Sequence, residues 1–332
     1  MKFLPDQVVA RLRSEMQVPD LAGTRYSAGK FLVRGGMGEV WLAEDSVLHR
    51  NVALKVLAAE NSSADLAARL MREAEILARL EHPGIVPVHD AGMLPDGRTF
   101  YCMKYVEGQT LDQHIAGMNL RQRMHLLQRI AEPLAFAHSR GIIHRDLKPA
   151  NIMMGAFGEV LILDWGLAKV TAAATSGDEA SLTAAGTGLA QQSSDCQTTA
   201  HGSVLGTAGY MAPEQVRGDV DLVDQRTDVY GLGAIMGFLL REQQGMPRSE
   251  TASPPLQAIL IKATSPEMAA RYASVQEMAA DIGRYLDGQP IAAYRENLLE
   301  RAGRLIKRNQ VAVVLVLAYL VMRVLFILFS RH

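Results

Sequence analysis

From Tyr26 to about Ala59 apolar and polar residues alternate, and a glycine cluster separates two extended runs. That period of two predicts antiparallel strands. Between Asp65 and Leu80 the period changes. Leu66, Leu70, Ile76, Leu77 and Leu80 recur among arginines and glutamates, the spacing of a helix with one apolar face, and His82-Pro83-Gly84 stops it. Ile85 to Val106 is strand-like again, folded back by a Pro95-Asp96-Gly97 turn. After Gly108 helical spacing takes over, first in Leu111–Ile115 and then in Leu120–Arg140, which ends at Gly141. It returns at Asp228–Leu240 and from Leu256 to Leu286. A small lobe of strands followed by a larger lobe of helices is expected. Residues 171–203 break the pattern: they are rich in Ala, Ser, Thr and Gly and nearly free of large apolar residues. Such a stretch buries too little surface to offset its ordering entropy, so a flexible loop is expected there.

The C-terminus has a pattern of its own. Val311 to Phe329 reads VAVVLVLAYLVMRVLFILF, which as a helix would be about 28 Å long, close to the thickness of a bilayer's hydrocarbon core. Its one charge, Arg323, is seven residues before Ser330 and has a stem long enough to reach outward toward the interface. A single transmembrane helix over 311–329 is expected, with a buried or interfacial helix as the alternative. Arg301, Arg304, Lys307 and Arg308 precede it. The positive-inside tendency then places the preceding residues in the cytoplasm and the chain in the cell (inner) membrane. Tyr294–Lys307 has the spacing of a basic amphipathic helix, fitted equally to lying on anionic lipid and to connecting two parts.

Composition narrows the classes further. Hydrophobic residues make up 48% and charged residues 21% of the 332-residue chain, ordinary for a globular protein. The net charge of −1 gives no reason to expect a nucleic-acid partner. Cys102 and Cys196 make neither a disulfide framework nor a zinc site, and the nine histidines have no ligand spacing. Met1–Asp20 has no long apolar run, so no signal peptide is expected.

The densest chemistry lies in His144-Arg145-Asp146-Leu147-Lys148-Pro149-Ala150-Asn151. Phosphoryl transfer needs a carboxylate to orient the attacking hydroxyl and accept its proton, a cation near the moving phosphate, and oxygen ligands for a metal ion. Asp146, Lys148 and Asn151 supply these in that order. On these residues the chain resembles the eukaryotic-like (Hanks-type) serine/threonine protein kinases of bacteria, over about Tyr26 to Leu286. The resemblance implies an α+β, bilobal protein-kinase-like fold: an antiparallel β N-lobe with one helix and a mainly α C-lobe. To it the transmembrane helix is appended.

The family's roles carry over position by position. Asp164-Trp165-Gly166 stands where the family has Asp-Phe-Gly, so Asp164 and Asn151 would hold Mg2+ (or Mn2+) against the phosphates of ATP. Lys55, in Val52-Ala53-Leu54-Lys55, would bind phosphate and pair with Glu73, with Glu75 the competing choice. Leu32-Val33-Arg34-Gly35-Gly36-Met37-Gly38-Glu39-Val40 resembles the loop over the phosphates, with Val33 replacing the first glycine and expected to stiffen the turn. Met103 would be the gatekeeper before the hinge, and Val40, Ala53 and Met153 would pack the adenine. In Gly206–Glu214, Thr207 would contact the catalytic aspartate, which favours Ser/Thr over Tyr acceptors. Glu214 would pair with Arg271, Asp228 would hold the catalytic-loop backbone, and Arg145 would meet a phosphorylated residue among Thr198, Thr199 and Ser203.

The domain layout that follows is an N-terminal extension (1–25) and a kinase domain (26–286), then a basic juxtamembrane segment (287–310) and the membrane helix (311–329). Within the kinase domain the N-lobe covers about 26–106 and the C-lobe about 107–286, the latter carrying the insertion at 171–203. The expected activity is transfer of the ATP γ-phosphate to Ser/Thr hydroxyls of proteins, with autophosphorylation between two copies. Two departures temper it: the long insertion, and a Leu240–Pro255 stretch too short for the family's substrate-docking helix. A nucleotide-binding pseudokinase or scaffold is the alternative. A small-molecule phosphotransferase is disfavoured by the peptide-binding Gly206–Glu214 segment.

Overall fold

The computed structural model describes residues 18–35, 38–58, 63–115, 117–170, 209–241, 253–297, 301 and 310–329, the side chains of 28, 220, 310–313, 324, 325 and 327–329 excepted. Several expectations fall outside these residues: Gly36, Met37, the 171–203 insertion with Thr198 and Thr199, then Ser203, Thr207, the middle of Leu240–Pro255, and most of the basic segment before the last helix.

Strands β1 (Tyr26–Arg34), β2 (Gly38–Asp45) and β3 (Arg50–Leu57) run antiparallel, followed by helix α1 (Ala64–Arg79) and by β4 (Val88–Met93) and β5 (Thr99–Lys104). The five strands form one sheet in the order β1-β2-β3-β5-β4. Alternate residues of β3, Val52, Leu54 and Val56, join Trp41, Phe100 and Cys102 in a core on one face. The period of two then turns Ala53 and Lys55 to the other face. Part of the expected N-terminal extension belongs to this lobe: Leu21 enters the same core, Arg98 donates to the Val18 carbonyl at 3.2 Å, and Asp96 accepts from the Asp20 amide at 3.2 Å. Helix α1 starts where the Ser63 side chain accepts from the Leu66 amide. Its buried residues are Leu70, Glu73, Ala74, Ile76 and Leu77, so a glutamate lies on the apolar face.

The second lobe begins with β6 (Gly108–Thr110), α2 (Leu111–His114) and α3 (Leu120–Ser139), the last opened by a reciprocal cap between Asn119 and Gln122. Then come β7 (Ile142–Ile143), a 3-10 turn at Pro149–Asn151, β8 (Ile152–Gly155), β9 (Val160–Ile162) and β10 (Lys169–Val170). These short strands pair as β6-β8-β9 and β10-β7. Among the described residues the lobe continues with helices α4 (Pro213–Val216), α5 (Gln225–Arg241), α6 (Pro254–Ala263) and α7 (Val275–Leu286). The helical stretch expected from Leu256 to Leu286 is therefore two helices. Pro266 and a 3-10 turn at Met268–Ala270 separate them and leave Arg271 and Tyr272 buried in the connection. The amphipathic helix expected from Tyr294 does not start there, because Tyr294–Asn297 is irregular.

Helix α8 (Gln310–Phe329) is 20 residues long. Among the described residues no helix is long and apolar enough to cross a membrane; in α8 side chains are described only for 314–323 and 326.

Candidate active site

The cleft between the lobes is built outward from Lys55. Its register on β3 faces Val40 of β2 and Tyr101 of β5. Its ammonium donates to both Glu73 oxygens at 2.7 and 2.8 Å and to Asp164 at 3.2 Å. Burial opposes the Lys55 charge, but Glu73 and then Asp164 outweigh it and hold the pKa above its ordinary value. Asp164 sits below the ordinary carboxylate value: burial opposes this, and the Lys55 cation is the largest of the effects that lower it. Of the two candidate glutamates, Glu73 is buried and paired, whereas Glu75 is exposed.

Sequence reasoning missed a fourth member of this group, beside Lys55, Glu73 and Asp164. The Tyr101 hydroxyl donates to Glu73 Oε1 at 2.8 Å, and its ring lies 5.7 Å from the Lys55 ammonium. Burial, and then the Glu73 charge, push the Tyr101 pKa well up, so it stays a neutral donor. A tyrosine on a buried strand reads as ordinary core, and no sequence signal marked it.

Around the nucleotide position, Ala53 pairs in register with Met103, and Met153 sits on β8 opposite Leu161 of β9. Leu32 and Val40 are half-buried. Val33 pairs with Val40 in β1 and is 55% exposed, so its side chain meets no crowding where the family has glycine. Gly38 is needed for another reason, since a Cβ there would collide with the Val56 carbonyl of β3. The Gly35 amide donates to the Gly38 carbonyl at 2.8 Å and closes the turn.

On the opposite wall, Lys148 donates to Asp146 Oδ2 at 2.7 Å. Asn151 Nδ2 donates to the Asp146 carbonyl at 2.8 Å and to Oδ2 at 3.1 Å. With its nitrogen so used, Asn151 has an amide oxygen left for a cation. Asp164 adds a carboxylate, and such hard oxygen donors suit Mg2+. Among the described residues no cluster of three or more His, Cys, Asp or Glu could hold a metal by itself, so the rest of the shell would come from nucleotide and water.

The catalytic loop and the turn at Asp164 are strained, and the loop is held. Arg145 and Asp164 have φ of 70° and 57°, in the left-handed region that non-glycine residues rarely occupy. Asp228 accepts from the amides of His144 and Arg145 at 2.8 and 2.9 Å and from His138 Nε2 at 2.7 Å. Its pKa lies below the ordinary value: burial opposes this and the His138 hydrogen bond leads the effects that lower it. Trp165 is fully buried with its ring edge-on to His144 at 4.7 Å, so the residue replacing phenylalanine keeps an anchoring position. Glu214 and Arg271 form a buried two-pronged pair at 2.8 and 2.8 Å, and Thr227 donates to Glu214 at 2.9 Å. Arg145 differs from these. Among the described residues its Nε and Nη2 are buried without a hydrogen-bond partner, and burial lowers its pKa against the pull of Asp228.

Comparison with known proteins gives a consistent result. The family description "Protein kinase domain" matches residues 26–282. The serine/threonine-protein kinase PknB of Mycobacterium tuberculosis is 38% identical over 303 residues, covering 83% of this chain and 45% of that protein. The serine/threonine-protein kinase PknD of Protochlamydia amoebophila is 34% identical over 303 residues, covering 80% of this chain and 30% of that protein. The chain thus spans about half the length, or less, of these curated relatives. The crystal structure of the Mycobacterium tuberculosis PknI kinase domain superposes with a TM-score of 0.55 at 27% identity, covering 78% of this chain and 95% of that one.

Proposed function

The chain belongs to the protein kinase family, in the bacterial serine/threonine branch, and from that membership we propose that it transfers the γ-phosphate of ATP to serine and threonine hydroxyls of proteins, itself included. The observation that carries this is the closed Lys55–Glu73–Asp164 group, with Lys55 held at 2.7 Å from Glu73 and 3.2 Å from Asp164. A lysine fixed between a helix and the metal-ligand aspartate is preorganised for phosphate, and the pair needs both lobes in position.

Asp146 would orient the acceptor hydroxyl and take its proton, and Lys148, 2.7 Å away, would balance charge on the moving phosphoryl group. Asn151 and Asp164 would hold Mg2+, which neutralises charge on the phosphates when bound. Val40, Ala53, Met103 and Met153 would enclose the adenine. Transfer between two copies would begin the chain's own phosphorylation.

Regulation belongs to the same proposal. The half-buried Arg145, whose Nε and Nη2 are buried without a hydrogen-bond partner among the described residues, suits a phosphate placed on Thr198, Thr199 or Ser203. An unchanged transfer rate after alanine replaces all three would remove this part. We further propose anchoring in the cell membrane by 311–329 with the kinase domain in the cytoplasm, supported by the apolar sequence, the helical backbone of Gln310–Phe329 and the arginines and lysine before it.

The decisive experiment incubates the full chain in detergent with Mg·ATP beside Asp146→Asn. Phosphoserine or phosphothreonine in the wild type, absent from the variant, is expected. ATP binding without incorporation in either would replace enzyme by scaffold.

A further inference from the structure

We infer that Gln215 is a positioning residue for Asp146, fixing the peptide that leads into the catalytic base from helix α4, just after the Gly206–Glu214 segment. The inference rests on the kinase reading above.

That peptide joins Arg145 to Asp146. Its N–H, on Asp146, donates to His144 Nδ1 at 3.2 Å. Its carbonyl, on Arg145, accepts from Gln215 Nε2 at 2.7 Å, across 70 residues of sequence. The amide preceding it is held by Asp228 at 2.9 Å. Arg145 has φ of 70°, a conformation that persists only when its surroundings over-determine it. His144 lies in the catalytic loop itself and Asp228 in α5. Of the three clamps, Gln215 is the one contributed by the segment that follows 171–208.

The chemistry at position 215 admits only an amide. Gln215 Oε1 accepts from the Ala212 N–H at 3.1 Å, while Nε2 meets a carbonyl. One end must accept and the other must donate. A carboxylate of the same shape would keep the Ala212 bond and set an oxygen against the Arg145 carbonyl. Ala212 and Gln215 flank Pro213 and Glu214, and Glu214 is locked to Arg271 and Thr227. The rigid α4 corner is thereby joined to the backbone of the base. When that corner is seated, the Arg145–Asp146 peptide is oriented; when it is displaced, the carbonyl loses its only side-chain donor among the described residues.

The test uses the full chain in detergent with myelin basic protein as acceptor, comparing Gln215→Met and Gln215→Glu with the wild type. Gln215→Met keeps length and loses both bonds; Gln215→Glu keeps the Ala212 bond alone. The expected result is a fall in kcat of about tenfold or more in both, the rate equivalent of one ordinary hydrogen bond. KM for ATP should stay within about twofold and thermal midpoints within a few degrees, since neither nucleotide contacts nor core packing change. A Gln215→Glu enzyme with wild-type kcat would overturn the inference, because only the α4 corner would then need the side chain. So would kcat loss that merely tracks loss of folded protein in both variants. A wild type without turnover is a failure of the kinase reading, distinct from an active wild type indifferent to position 215.

Discussion

Tyr101 shows how one hydroxyl can set the working position of a helix. Glu73 sits on α1 and Tyr101 on β5, so their 2.8 Å hydrogen bond ties helix to sheet inside the nucleotide cleft. Hydrogen bonds to charged groups contribute about 1.5–3 kcal/mol, and the partner left behind here is a buried carboxylate. Tyr101→Phe keeps the ring and removes only the bond. We expect KM for ATP to rise about three- to tenfold, with kcat changed less and the far-UV spectrum unchanged. Equal ATP affinity in isothermal titration of variant and wild type would show that Lys55 alone seats Glu73. The contrast with Asp146, Lys148 and Asn151 explains what the sequence could and could not disclose. Those three stand close together in one polar string, and nothing but chemistry places such residues at that spacing. Tyr101 has the identity of a core residue, and Gln215 finds its partner 70 residues away, so neither has a local pattern to betray it.

Elements were legible where one period ran long enough and illegible where tertiary bonds replaced helix bonds. Strands β1 to β5 and helix α1 fall within the stretches where strand and helix spacing were expected. The break between α6 and α7 does not, because Arg271 leaves helical geometry to reach Glu214 and to donate to the Ser265 carbonyl at 2.8 Å. A similar device ends α7. Buried Asp281 accepts from the amides of Ala292 and Ala293 at 2.8 and 3.0 Å, from the Tyr272 hydroxyl at 3.0 Å and from Arg284 at 2.7 Å. One carboxylate thus folds the chain after α7 back onto the lobe and seats Ile291. Burial alone would raise the Asp281 pKa, but these bonds, led by that from Ala292, lower it below its ordinary value of 3.8. A carboxylate depressed in the folded state adds stability that is fully present above the unfolded value and is lost as pH falls through the folded one. The thermal midpoint should therefore hold down to about pH 5 and fall below 4. Asp281→Asn should start lower at neutral pH and show a shallower fall, in part only, because Asp228 and Glu214 are depressed as well. Parallel curves for variant and wild type between pH 6 and 3 would count against the role given to Asp281.

At the scale of the whole molecule the question is what the fold leaves for the C-terminal helix to do. The matched kinase region ends at residue 282, and the Asp281 clamp holds the next turn against the lobe to Ala293. Every group assigned to phosphoryl transfer lies before that clamp. Helix Gln310–Phe329 is then an addition that chemistry does not require. Its side chains at 314–323 are exposed, Val314, Leu317, Leu320 and Val321 among them, an arrangement costly in water at roughly 25 cal/mol for each Å² of apolar surface. The bilayer proposed for it would remove that cost, at a length of about 30 Å for 20 residues. Arg323, about two and a half turns from Val314, is tolerated if its guanidinium reaches the lipid headgroups. Anchoring would also confine two copies to one surface and favour phosphorylation between them. In cell fractionation the full chain should stay with membranes after alkaline carbonate extraction, and a chain truncated after residue 309 should appear in the soluble fraction with its ATP KM unchanged. Release of the full chain by carbonate would make α8 a docking helix for another protein, and the kinase chemistry argued from Lys55 and Asp146 would stand without a membrane.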